Sequence, residues 1–382
     1  MTEIASRVRE PRAATLRGGK PAAGRRARLV ALAAATALAV GCTSTTPTRA
    51  PDSTVASPSA SPEPGTSPGT TAPSPATPSA APGSPAIVAM STFDVPAGSH
   101  PHDVAPAADG GIWFTAQASG ELGWLDPATR EVVIIDLEAG SSPHGVIVGP
   151  DDAAWVTDSG LNAIVRVDGT SHAVTTFPLD VAGANLNTAT FDGDGVLWFT
   201  GQSGVYGRLD PATGRVETFE APKGRGPYGI AATPDGEVYL GSLAGSYLGA
   251  IDRATGGITV IDTPTAGGGA RRVWSDSAGR PWITEWFAGR IARYDPPSAA
   301  WEEWDLPGEA QPYAVYVAED DGVWITDFGA NAIHRFDPPT GTFLTLPHDS
   351  QPAEVRQLLG RHGEVWGAES AADRLVVVRF GG

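Results

Sequence analysis

PYAVYVAEDDGVWITDFGANAIHRFDPPTGTFLTLP, residues 312–347, decides the fold. It holds four short β-rich runs, YAVYVA, VWITD, AIHRFD and FLTLP, broken by DDG, FGAN and PPTG. The breaks are built from turn formers, and the runs between them carry the β-branched and aromatic residues of strands joined by hairpins. No unit shows the long apolar period of a helix, which excludes a helical repeat.

The same layout recurs along the chain. Aligned on one aromatic per unit, it places Trp113, Trp155, Trp198, Tyr239, Trp282, Trp324 and Trp366 at spacings of 41 to 43 residues. Four antiparallel strands in each such repeat make a propeller blade, so seven repeats predict an all-β, seven-bladed β-propeller of four-stranded antiparallel blades. The seventh unit ends after three strands, at RLVVVRFGG, while AIVAMSTFDVP (86–96) is a strand-like run without a partner. This N-terminal strand is expected to complete the last blade, closing the ring and removing an open sheet edge. An aromatic that recurs in every unit reads as packing between neighbouring sheets.

The segment before the repeats has a different character. Arg25, Arg26 and Arg28 precede the apolar run LVALAAATALAV and then Gly41 and Cys42, the pattern of a signal peptide over residues 1–41. AVGC resembles a bacterial lipobox, which implies lipidation of Cys42, the only cysteine, and anchoring to the outer face of the cell membrane, with cleavage and release as a secreted protein the alternative. Residues 42–85 are dominated by Pro, Ser, Thr, Ala and Gly and read as a semi-extended tether, leaving 86–382 for the propeller. The chain has 26 basic and 43 acidic residues and a formal net charge of −17. The first 41 residues hold 8 of those bases and 2 of those acids, so the remainder carries a charge near −23. Such a domain repels nucleic acid and anionic lipid, which limits the membrane contact to the anchor; a monomer is expected.

Function is sought where the repeats differ. Eleven residues before each aromatic stand His102, His144, Asn187, Tyr228, Arg271 and Tyr313, with Glu354 near the equivalent place in the last unit. The first strand of a propeller blade is innermost, so this position forms a ring at one mouth of the central channel, where a small-molecule or peptide ligand is expected. Three residues after the aromatics stand Asp158, Glu285, Asp327 and Glu369, which the hairpins bring back toward the same mouth. Imidazoles suit proton transfer near neutral pH, and grouped carboxylates suit a hard divalent cation. The carboxylates also suit capping of the loops DSGLNA, EWFAGR and DFGANA, the preferred reading for Glu285, Asp327 and Glu369. His172, His334, His348 and His362 fall in turns or outer strands and are expected to be solvated. The chain has no HExxH, GxSxG or phosphate-binding glycine loop.

WITEWFAGRIARYD (282–295), WITDFGANAIHRFD (324–337) and the Pro-His pairs at 101–102 and 143–144 resemble the repeats of the streptogramin lyases, a family typified by virginiamycin B lyase. The resemblance covers all seven units. It implies a carbon–oxygen lyase that opens the ester of a cyclic depsipeptide by elimination. A histidine removes the proton α to a carbonyl, and magnesium held by glutamates stabilises the enolate as the carboxylate departs. On this reading His144 is the base, His102 an acid or orienting group, and Ser142 and Asp158 occupy the metal-ligand positions, Ser142 standing where the family's E-P-H triplet has glutamate. Similar repeats also occur in non-enzymatic binding propellers and in gluconolactonase-like and NHL-type propellers, and the fold does not choose among them.

Overall fold

The structure is a computed structural model that describes residues 86–381. The expected signal peptide, Cys42 and the tether lie outside the described residues. Six four-stranded antiparallel sheets follow one another in chain order: blade 1 (101–136), blade 2 (143–178), blade 3 (186–220), blade 4 (227–262), blade 5 (270–305) and blade 6 (312–347). Blade 7 is made by Val355–Arg361, Glu364–Glu369 and Arg374–Phe380, and its fourth strand is Ile87–Asp94, antiparallel to Arg374–Phe380. The N-terminal strand therefore closes the ring as expected. First strands touch first strands all the way round, including blade 7 against blade 1, so these strands line the axis.

Apolar clusters fill the space between consecutive blades. The recurring tryptophans lie inside them; Trp198, Trp324 and Trp366 are fully buried. Each removes roughly 4–6 kcal/mol worth of apolar surface from water. A buried indole also needs an acceptor, and the first hairpin supplies one in several blades. Trp155 donates to Asp151, Trp198 to Asp192, Trp282 to Asp276 and Trp366 to Glu364. The hairpin acids thus orient the packing residue that follows them.

Two further devices position the inner strands. Each first strand carries a β-bulge at its start, shown by the register shift between Pro101 and Val104 in blade 1 and between Pro143 and Gly145 in blade 2. A bulge re-aims side chains that regular pairing would hold flat against the neighbouring blade. The threonine two residues after the aromatic takes over the lost ladder bonds. Thr115 accepts from the Asp103 amide at 3.0 Å and donates to the His144 carbonyl of the next blade at 2.9 Å. Thr157 does the same between the Gly145 amide and the Asn187 carbonyl, and Thr284 between the Arg272 amide and the Tyr313 carbonyl. Each threonine fixes the backbone of a ring residue one blade ahead.

Candidate functional site at the channel mouth

The bulges converge the ring residues. The His102 and His144 rings lie 3.8 Å apart between centroids. His144 Nε2 is 3.1 Å from the Asn187 amide nitrogen, and its ring meets Tyr228 edge-on at 6.3 Å. The Tyr228 and Tyr313 hydroxyls are bonded to each other, and Arg271 donates to the Tyr228 hydroxyl at 2.9 Å. Its guanidinium lies over Tyr313 (3.6 Å), Trp286 (4.3 Å) and Tyr228 (4.6 Å). His102, His144, Asn187, Tyr228, Arg271 and Tyr313 thus form one contiguous group, and all but Arg271 are buried.

The carboxylates end elsewhere. Asp158 pairs in register with Pro143, one residue before His144, and shares that proline's face of the blade. Its Oδ1 accepts from the Ser142, Gly160 and Leu161 amides, all at 2.9 Å, and its Oδ2 accepts from the Ser141 hydroxyl. Asp327 accepts from the Gln311 and Gly329 amides and contacts His334. Burial alone would raise the Asp327 carboxyl, but the His334 and amide bonds outweigh it and hold it low. Glu369 is bound by His348, Ser350 and Arg374. These side chains cap their own loops, as expected for Asp327 and Glu369. Glu285 differs: it is sealed from solvent with neither oxygen hydrogen-bonded among the described residues, and burial together with Glu303 pushes it up to about 7.

This bears on the divalent cation expected at Ser142 and Asp158. Both Asp158 oxygens are committed to donors of the loop, and Ser142 contributes an amide to that carboxylate. A magnesium ion there would displace four hydrogen bonds and gain one carboxylate, so the donor set does not fit the ion. His334 and His348, expected to be solvated, are buried instead, because each supplies the counterpart of a loop carboxylate.

The residue after the ring position was overlooked by sequence reasoning. It reads Asp103, Gly145, Thr188, Gly229, Arg272 and Ala314 in blades 1 to 6. Small residues prevail because inner strands approach closely; a Cβ on Gly229 would meet Arg272 Cα at 2.6 Å. The two charged exceptions have opposite signs, and that was the available signal. Arg272 donates to Asp103 Oδ1 at 2.9 Å, and the same oxygen lies 2.7 Å from His102 Nδ1. Asp103 therefore sets the tautomer of His102 with the proton on Nδ1. Burial lowers both imidazoles well below their usual value, assisted at His102 by Arg272, Arg356 and Arg271 and at His144 by His102. Burial raises the Asp103 carboxyl, against the pull of Arg272. The arrangement can hold two neutral imidazoles side by side with an anion behind one of them, which equips it for proton transfer.

The chain also resembles known proteins in sequence and in fold. A family model described as the virginiamycin B lyase family matches residues 86–311. A virginiamycin B lyase of Nocardia farcinica is 32% identical over 238 residues, covering 61% of this chain and 79% of that relative. Among solved structures, the virginiamycin B lyase of Staphylococcus aureus superposes with a TM-score of 0.71 at 19% identity, covering 76% of this chain and 99% of that one. A catalytically inactive variant of the Staphylococcus aureus enzyme with quinupristin also gives 0.71, at 20% identity and with the same coverage.

Proposed function

Because the chain belongs to the virginiamycin B lyase family, we propose that it is a carbon–oxygen lyase that opens an ester in a cyclic depsipeptide or similar compound. The observation that carries this reading is the buried His102–His144 pair backed by Asp103 at the channel mouth. His144 Nδ1 is buried, with no partner among the described residues. The Asn187 amide nitrogen faces Nε2 at 3.1 Å, so Nε2 carries the lone pair of the neutral ring and serves as the base once substrate displaces that amide. It takes a proton from carbon, the released electron pair becomes a C=C bond, and the C–O bond breaks with its pair leaving on the carboxylate. His102, held by Asp103, lies against the imidazolium that forms, and the Asp103 charge favours that cation. No nucleophile is required. We further infer that Cys42 is lipidated and holds the propeller outside the cell on its tether, a reading supported by the basic, apolar and AVGC pattern.

The test is mass spectrometry of a type B streptogramin incubated with purified wild type and His144→Ala. Elimination gives a linear product of unchanged mass from wild type and none from the variant. A product heavier by one water would assign the site to a lactonase-like hydrolase, and intact substrate in both would overturn the enzyme reading in favour of a binding propeller.

A further inference from the structure

The geometry points to an anion site beside the histidine pair: we propose that Arg271, Arg272 and Arg356 together receive a carboxylate of the ligand. The inference deepens the reading above and rests on the same ring of residues.

Unmet donor capacity is the first observation. Among the described residues Arg271 Nε, Arg272 Nε and Nη1, and Arg356 Nε are all buried without a hydrogen-bond partner, and Arg272 as a whole is only 4% exposed. Each such donor left unpaired costs on the order of 1–3 kcal/mol, more when charged, so four of them on side chains grouped about Tyr313 and its stacking partner Phe328 call for an acceptor. Charge is the second. Arg272 is paired with Asp103, and Arg356 with Glu354 at 2.5 Å, whereas Arg271 has no carboxylate partner among the described residues. Three guanidiniums against two carboxylates leave one excess positive charge at the mouth of a strongly acidic chain.

Access and preorganisation complete the case. Arg271 and Arg356 are half-buried, so a ligand reaches them from the mouth. Arg271 is clamped among three aromatic rings and needs little reorganisation to bind. Above it Trp286 packs edge-on against Tyr313 and Phe328, and Phe287 beside them is 65% exposed. An apolar rim over a planar cation fits a carboxylate borne on an aromatic or otherwise apolar group. The same guanidiniums would stabilise negative charge developing on the departing carboxylate of an ester, which is the electrostatic work a lyase needs at that step.

The test uses benzoate and its neutral counterpart benzamide as probes of the purified full chain, by titration calorimetry and ligand-observed NMR. Benzoate is expected to bind at one site, at least about tenfold tighter than benzamide, and to weaken at high salt. Arg271→Met and Arg356→Met, which keep the apolar stem, should each lose most of that preference while melting like wild type. Magnesium alone should give no heat. Equal binding of benzoate and benzamide would overturn the proposal, as would stoichiometric magnesium binding abolished by Asp158→Asn. Benzoate selectivity in a protein that leaves a streptogramin intact supports the anion site and sinks the lyase reading; ring opening that stops on chelation, without benzoate selectivity, does the reverse.

Discussion

Asp103 and Arg272, 169 positions apart in the chain, meet as a buried ion pair at 2.9 Å. They belong to blades 1 and 5, which do not adjoin, so the pair bridges the channel between inner strands that make no sheet together. It also joins stability to chemistry, because the Asp103 oxygen that meets Arg272 also holds His102.

Removing one partner leaves a buried charge uncompensated, which typically costs about 3–5 kcal/mol. Arg272→Met should therefore destabilise the domain by about that amount in urea denaturation. The double variant Asp103→Asn, Arg272→Met should recover more than half of it. Additive losses would show that the two charges do not compensate each other.

The histidine pair gives stability a pH dependence with a definite sign. The usual imidazole value is 6.5, and the fold holds both His102 and His144 below it. Below 6.5 the unfolded chain binds protons that the folded chain refuses, so their contribution is complete above that pH and declines as pH falls. Denaturation midpoints should drop between neutrality and about pH 5.5, and His102→Asn with His144→Asn should flatten the slope. Initial rates of ring opening should likewise hold through pH 6.5 and fall only at lower pH.

Glu285 acts in the opposite sense. Its folded value of about 7 lies above the usual 4.5, so the fold retains a proton that the unfolded chain releases, and stability declines as pH rises through that interval. Glu285→Gln removes the penalty and should stabilise the protein above neutral pH by on the order of 1–3 kcal/mol, with little effect in mild acid. A variant no more stable than wild type above neutrality would contradict this assignment.

The threonine bridges connect packing to the site. Thr157→Val keeps the shape but leaves the Gly145 amide and the Asn187 carbonyl without their shared hydroxyl. The expected cost is about 1–3 kcal/mol. Because Asn187 holds His144, ring-opening rate should fall by more than the change in folded fraction explains. Thr157→Ser, which restores the hydroxyl, should restore the rate.

Much of this was legible in one dimension. Hydrophobic and turn periodicity gave the blade, the spacing of Trp113, Trp155, Trp198 and their counterparts gave the number of blades, and the unpaired run at 86–96 gave the closure. The ring of His102, His144, Asn187, Tyr228, Arg271 and Tyr313 was legible too, since those positions depart from one another while their neighbours repeat. Asp103 and Arg272 were passed over because their significance lies in each other. Asp158 was misplaced because register says which residues stand opposite, whereas a bulge and the pleat decide which way each side chain points.

Repetition in the sequence by itself determined an all-β propeller of seven blades and the ring position where the blades differ, because periodicity is a local property that each repeat carries whole. Only the tertiary structure decided which side chains meet: that His102 and His144 face each other, that Asp158 and Asp327 turn into their own loops, and that Arg272 crosses to Asp103. Those outcomes depend on closing a ring, and the close approach of distant inner strands, the bulges that turn their side chains and the burial that shifts their protons exist only once all seven blades are in place.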